Sequence, residues 1–212
     1  MKLLYENKEF VVCVKPVGVD SEHGVPGLLK EALGGEIFTI HRLDRNVGGV
    51  MVYARTKQAA ATLSTLIQKG EFRKEYLAGV HGAPASQGIL EDLLFKDSRS
   101  NKVFTVKKER KGVKKARLAY RVLQSGERSI VHVLLDTGRS HQIRVQFASR
   151  GFPLVGDHKY GARDPETEPM LHSFRIRFPW GGEEKCFEAL PDWYPADLDS
   201  PGAFPDPFSR NL

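Results

Sequence analysis

Cysteine is nearly absent: the 212-residue chain holds only Cys13 and Cys186. Two cysteines so far apart make no disulfide framework of the kind small secreted domains use, and they supply no pair at metal-ligand spacing. Cys13 sits in the run Phe-Val-Val-Cys-Val and reads as a buried strand residue. Long apolar runs are missing as well. Stretches such as residues 10–14 fall far below the ~20 residues that span a bilayer. The opening Met1-Lys2-Leu3-Leu4-Tyr5-Glu6, with Lys8 and Glu9 behind it, lacks the apolar core of a signal peptide. No membrane partner is expected, and the expected setting is the reducing cytoplasm. The seven histidines form no close cluster with cysteine or carboxylate, so no metal site is expected either.

What is present is ordinary globular material, 41 % hydrophobic and 27 % charged, which excludes intrinsic disorder. The length suits one substantial domain or two small ones. The net charge of +6 is unevenly placed. Residues 99–117 hold nine bases and one acid, a local +8, so the rest of the chain carries −2. The last thirty residues hold seven acids and two bases. A basic cluster with an acidic end suggests directional contact with a polyanion, although a solvated lysine-rich loop has the same composition.

Hydrophobic spacing and turn residues outline the elements. Residues 3–15 read as a strand ending at Pro16-Val17-Gly18, and residues 25–33 as a short helix before Gly34-Gly35. Thr56 can cap a helix through Lys69, with Ala59, Ala60, Leu63, Leu66 and Ile67 at helical spacing and Gly70 ending it. Residues 75–81 and 171–178 read as strands. Residues 118–122 and 129–135 read as a hairpin around Ser125-Gly126. Ser140 can cap a helix carrying Ile143 and Phe147 and ending at Gly151. Strands outnumber helices, which points to an α+β class. Five of the twelve prolines fall in residues 191–212, so this acidic tail is neither a continuous helix nor a central strand. The expected division is a domain over 1–190 and a tail over 191–212.

Two segments could carry chemistry. In His41-Arg42-Leu43-Asp44-Arg45, before Gly48-Gly49 and an apolar strand, flanking guanidiniums favour an ionised carboxylate, which can serve as nucleophile or base. An Arg–Asp pair capping a surface turn would read the same way. In Gly138-Arg139-Ser140-His141-Gln142-Ile143-Arg144-Val145, Arg139 and Ser140 stand at a helix start, where backbone N–H groups favour an anion. A capped amphipathic helix with exposed arginines fits the same pattern.

Taken together, these segments resemble the RluA-type pseudouridine synthase family. The resemblance extends to Lys74-Glu75-Tyr76, to residues 151–161 (Gly-Phe-Pro-Leu-Val-Gly-Asp-His-Lys-Tyr-Gly), to Leu171-His172-Ser173, and to Val14-Lys15-Pro16-Val17-Gly18. It covers roughly residues 3–190 in order and implies the family's catalytic domain without its frequent S4-like RNA-binding module. The implied fold is α+β, with a mixed, largely antiparallel sheet flanked by helices. The implied activity is isomerisation of a uridine to pseudouridine in structured RNA, ribosomal or transfer, without cofactor or metal. By resemblance Asp44 is the catalytic aspartate and Arg139 the arginine that pairs with it and holds it ionised. Tyr76 stacks on the target base and Leu171 packs in its pocket. Arg42 fills the space left by a flipped nucleotide, since a base inside RNA structure must leave the stack to be reached. His41, Lys74 and Arg144 join the expected substrate contacts. Lys107, Lys108, Lys111 and Lys114 are expected to track phosphates from a basic loop or hairpin. A monomer is expected, because gripping a large RNA needs no partner subunit.

The chain departs from the family pattern at Asn46-Val47-Gly48-Gly49, where two hydroxyls beside the aspartate are lost. Gln146 stands for the usual histidine and Ser173 for alanine. Asp157 is a candidate second acid, or a structural turn residue with Gly156. The altered loop keeps open a non-catalytic RNA-binding protein on the same scaffold. A nucleoside or glycoside hydrolase is a third reading.

Overall fold

Where one strand is expected over residues 3–15, two form: β1 (Lys2–Glu6) and β2 (Phe10–Lys15). Asn7 makes the break. Its Oδ1 accepts from Glu9 N (2.8 Å) and Phe10 N (2.7 Å), turning the chain into an antiparallel pair. The computed structural model describes residues 1–208. The chain divides into two compact units, the first made of Met1–Glu75 and His172–Leu198, the second of Tyr76–Leu171 and the chain from Asp199 onward.

In the first unit β2 pairs antiparallel with β4 (Gly48–Ala54), which also carries β3 (Phe38–Thr39). β10 (Leu171–Trp180) runs parallel to β4 at His172 and Ser173 and holds β11 (Glu183–Glu188) antiparallel. This parallel pair makes the sheet mixed. α1 (Gly24–Leu33) matches its expected helix. α2 (Lys57–Lys69) begins where Thr56 accepts from Ala59 N and ends at left-handed Gly70. Its Ala59 and Leu63 complete a core with Phe10, Val52, Ile176 and Phe178. Gly49 is sterically required: at φ +125°, a Cβ there would lie 2.3 Å from the Ser173 carbonyl oxygen.

β5 (Arg73–His81) begins in the first unit and continues into the second. There it is followed by β6 (Gln87–Asp97), β7 (Lys102–Val106), β8 (Val113–Gln124) and β9 (Arg128–Leu135), ordered β5-β9-β8-β6-β7. β8 and β9 form the expected antiparallel pair. β6 lies between β7 and β8 and pairs antiparallel with both. Residues 107–112 therefore cross over β6 at the level of Leu93–Phe95, with Arg110 over the Phe95 ring, and are not the turn of a hairpin. Inward residues Leu94, Val103 and Ala116 pack on Val145 of α3 (Gln142–Ala148). Ser140 does not cap α3. The cap position falls on His141, with φ +51° and no side-chain cap bond, and the helix is buried along Gln142–Phe147 rather than amphipathic. The Pro-rich tail is divided: residues 191–198 belong to the first unit, and from Asp199 it lies against this one, where Phe204 and Phe208 are buried with Ala119 and Leu134 and Arg121 Nη2 donates to Gly202 O at 2.8 Å. Residues 209–212 of that tail lie outside the described ones. Among the described residues no helix is long and apolar enough to cross a membrane.

Candidate active site

Asp44 sits half-buried on the loop between β3 and β4. Backbone anchors fix that loop. Ser21 Oγ donates to Leu43 O (2.9 Å) and accepts from Leu43 N (3.3 Å), and the buried Tyr53 hydroxyl holds Ser21 O at 2.8 Å. Val47 N closes a turn on Asp44 O at 3.0 Å. Lys15, 1 % exposed, donates to the carbonyls of Pro16 (3.0 Å), Val19 (2.9 Å) and Arg45 (3.1 Å). Burial lowers its pKa to about 8, against the pull of Asp20 and Asp44. Lys15 gave no sign of this in the sequence, where it reads as the exposed end of a strand.

The departure from the family loop has a steric basis. Val47 is buried, and a Cβ on Gly48 would meet Lys15 O at 3.2 Å and the Val17 side chain at 3.3 Å.

His41 and Arg42 flank the same loop. His41 is buried, and its Nε2 accepts from Val52 N at 3.1 Å, so the imidazole braces β4. Burial, with a smaller push from Lys74, lowers its pKa to about 3. Burial alone lowers that of Lys74. His172, beside Gly48 on β10, is pushed by burial to about 4. Both imidazoles are thus neutral in the fold, while the unfolded chain takes up their protons below about pH 6.5. Stability must then fall as pH drops through 6.5 and keep falling towards 4 and 3, by about 2 kcal/mol per histidine at pH 5. Thermal melts at pH 7 and pH 5 check this. His41→Asn, which keeps an acceptor for Val52 N, should lose less stability between them than the parent. Arg42 is exposed and ion-paired with Glu22 at 3.0 Å, a surface contact of small energy.

Glu75 explains how its neighbours are held. Its fully buried carboxylate accepts from Arg175 Nη1 (2.9 Å) and from Arg177 Nη2 (2.9 Å) and Nε (3.1 Å). Strand alternation then puts Lys74 and Tyr76 together on the opposite face of β5.

In the second unit the segment around Arg139 is held from within. Gln142 Oε1 accepts from Arg139 N (3.0 Å) and Thr137 Oγ1 (2.8 Å), while its Nε2 donates to Arg117 O (3.1 Å). His141 Nδ1 lies 2.8 Å from the Tyr160 hydroxyl, which also accepts from Val103 N at 2.9 Å. Arg139 itself is exposed, its Nε donating to Lys115 O at 3.0 Å. Arg144 differs from the expectation of a substrate contact. It is 3 % exposed and grips both oxygens of Asp157, at 2.7 and 2.8 Å, under the Tyr160 ring. That pair occupies Asp157 as well, so it is structural rather than a second acid. Gln146 is buried, donating to Leu90 O and Asp92. Tyr76 and Leu171 are both buried. Lys107, Lys108, Lys111 and Lys114 are all exposed.

The first unit thus carries Asp44, His41, Arg42 and Lys74, with Lys74 near enough to His41 to act on its charge. The second carries Arg139, Arg144, Tyr76, Leu171 and the four lysines. Among the described residues no group of three or more His, Cys, Asp or Glu side chains is placed to hold a metal.

Comparison with known proteins follows the same lines. Residues 9–149 match the family described as RNA pseudouridylate synthase. The chain is 31 % identical over 211 residues to the dual-specificity RNA pseudouridine synthase RluA of Escherichia coli, covering 90 % of this chain and 93 % of that one. It is 36 % identical over 175 residues to an uncharacterized RNA pseudouridine synthase of Chloroflexus aurantiacus, covering 79 % of this chain and 54 % of the relative. With ribosomal large subunit pseudouridine synthase D of Nitrosomonas europaea the figures are 31 % over 221 residues, 91 % of this chain and 62 % of the relative. The solved structure of human RNA pseudouridylate synthase domain containing 1 superposes with a TM-score of 0.79 at 25 % identity, covering 92 % of this chain and 84 % of that one. The chain belongs to the RluA-type RNA pseudouridine synthase family. It spans between 54 % and 62 % of the length of several curated relatives it matches.

Proposed function

We propose that this protein isomerises a uridine to pseudouridine in ribosomal or transfer RNA, with Asp44 as the catalytic carboxylate. The bond from uracil N1 to ribose C1′ breaks, the base rotates, and C5 bonds to C1′. The C5 proton leaves and N1 takes one up, so substrate and product are isomers and no electron carrier or group donor is consumed. Asp44 must be ionised for this, and Arg139 is the cation assigned to hold it so. Tyr76 stacks on the target base, Leu171 lines its pocket, and Arg42 enters the stack that the flipped nucleotide vacates. The observation that supports this most is the loop of Asp44, pinned through backbone groups by Lys15 and Ser21. A reacting carboxylate needs such a fixed position.

Incubating the protein with total cellular RNA and mapping pseudouridine tests the proposal. New pseudouridine at one or a few positions is the expected result. Bound RNA without modification would favour the non-catalytic scaffold, and release of free uracil would favour a hydrolase.

The basic crossover loop supplies phosphate contacts. Changing Lys107, Lys108, Lys111 and Lys114 to Gln should weaken RNA binding and lower the slope of log affinity against log salt by about 3. Binding titrations at several salt concentrations measure that slope. An unchanged slope would remove the loop from the interface.

A further inference from the structure

Strand register gives the second unit's sheet two unlike faces. Leu94, Val103 and Ala116 point inward and are buried. The alternate residues make the outer face: Phe95 lies opposite both Phe104 and Val113, and Leu93 opposite both Val106 and Lys115. A solvated sheet face is ordinarily polar. This one carries five apolar side chains, with Phe104 43 % exposed.

Further along the same face the chain covers itself. Ala119 and its partner Leu134 lie beneath Phe204 and Phe208. Arg121 stacks on the first ring at 5.5 Å and Arg117 on the second at 4.4 Å. At the other end the 107–112 crossover lies over Phe95 and leaves Phe104 as the exposed ring, with the same chemistry around both. Arg110 lies 4.6 Å from the Phe95 ring centroid, and Lys102 lies 5.8 Å from that of Phe104. A recess of about 390 Å³ opens between Leu93, Glu109, Arg110, Val113 and Lys115. Its one acid, Glu109, is paired with Lys115 at 3.1 Å.

We infer that the outer face of β6, β7 and β8 is a stacking platform for unpaired bases of the RNA, with Phe104 as its exposed ring. The inference rests on RNA being the substrate, as proposed above. Charge complementarity selects the occupant: β7, the start of β8 and the crossover loop with Lys107, Lys108 and Lys111 belong to the +8 segment of residues 99–117, while β6 adds Asp97 opposite Lys102. Aromatic rings with guanidinium and ammonium groups at their faces suit a base and its phosphate together. An apolar protein partner would have to strip water from Lys102, Arg110 and Lys115 for no compensating charge. Recognition would be of splayed, single-stranded bases, which sheet aromatics accept without regard to sequence.

The test uses the full chain and a single-stranded oligoadenylate RNA carrying one 2-aminopurine. Stacking should quench the probe on binding. Phe104→Ala should abolish the quench and weaken binding about five- to tenfold. Phe104→Leu, which keeps the apolar contact, should also lose the quench and serves if the alanine variant does not fold. No quench with the parent protein, or the same affinity and quench in both variants, overturns the platform. So does a parent that self-associates through Phe104 in sedimentation while its RNA affinity ignores the substitution. Pseudouridine mapping on the same preparations separates the two proposals. A parent that stacks the probe yet forms no pseudouridine keeps the platform and loses the enzyme. One that forms pseudouridine but never quenches does the reverse.

Discussion

Asp44→Asn should stay folded and form pseudouridine at least about a thousandfold more slowly, the loss typical when an enzyme's reacting side chain is removed. Asparagine has the shape of aspartate without the charge, so it can neither attack as a nucleophile nor accept a proton as a base. The substitution spares the loop because its anchors are main-chain groups: Ser21 on Leu43, Lys15 on the Arg45 carbonyl, and Val47 N on the Asp44 carbonyl. Thermal melting should fall by only about 2–4 °C, the cost of withdrawing a carboxylate that supports the buried Lys15 ammonium. Single-turnover assays on a mapped substrate RNA give the rate, and binding titrations should give an unchanged affinity. Rates within tenfold of the parent would take the catalytic role away from Asp44. A lost rate in a variant unfolded at the assay temperature would trace to folding rather than to chemistry, so the melt belongs to the same experiment.

How far the sequence foretold this structure depends on whether the relevant forces are local. Helix α2 was legible because everything that makes it lies within fifteen residues: the Thr56 cap, apolar positions on one stripe, and Gly70 free to turn left-handed. The β8–β9 pair was legible for the same reason. The Asn7 turn was missed because one asparagine between strands gives a weak signal until its two backbone donors are seen. Ser140 failed as a cap because Gln142 and Tyr160 already hold the segment, a tertiary arrangement that local propensity cannot reveal. The burial of Arg144 is not legible in the segment 138–145, because the partner that occupies it, Asp157, lies thirteen residues away beyond a turn. The basic segment was legible as charge but not as geometry. Alternation sends Lys114 and Lys115 to opposite faces of β8, and only Lys115 lines the aromatic one.

Lys15 ties three carbonyls of the first unit together, among them the one that follows Asp44. Lys15→Met should fit the buried channel of the lysine stem and lose all three bonds of its ammonium. The carbonyls of Pro16, Val19 and Arg45 would then face a buried space with no donor. At about 1–3 kcal/mol for each unsatisfied group, the total is a large share of the 5–15 kcal/mol by which a protein of this kind is stable. With a loss near 4 kcal/mol the melting temperature should fall by about 8–16 °C. At neutral pH the parent keeps the ammonium, since burial lowers its pKa only to about 8 while Asp20 and Asp44 oppose the shift. Its charge therefore also acts on Asp44, and the Arg45 carbonyl that it holds belongs to the residue next in sequence. The variant that still folds at low temperature should accordingly lose turnover more than RNA affinity, because the basic loop proposed to bind phosphate lies in the other unit. A variant with a parental melting point would show that the three carbonyls find other donors, and parental turnover would show that Asp44 needs no clamp.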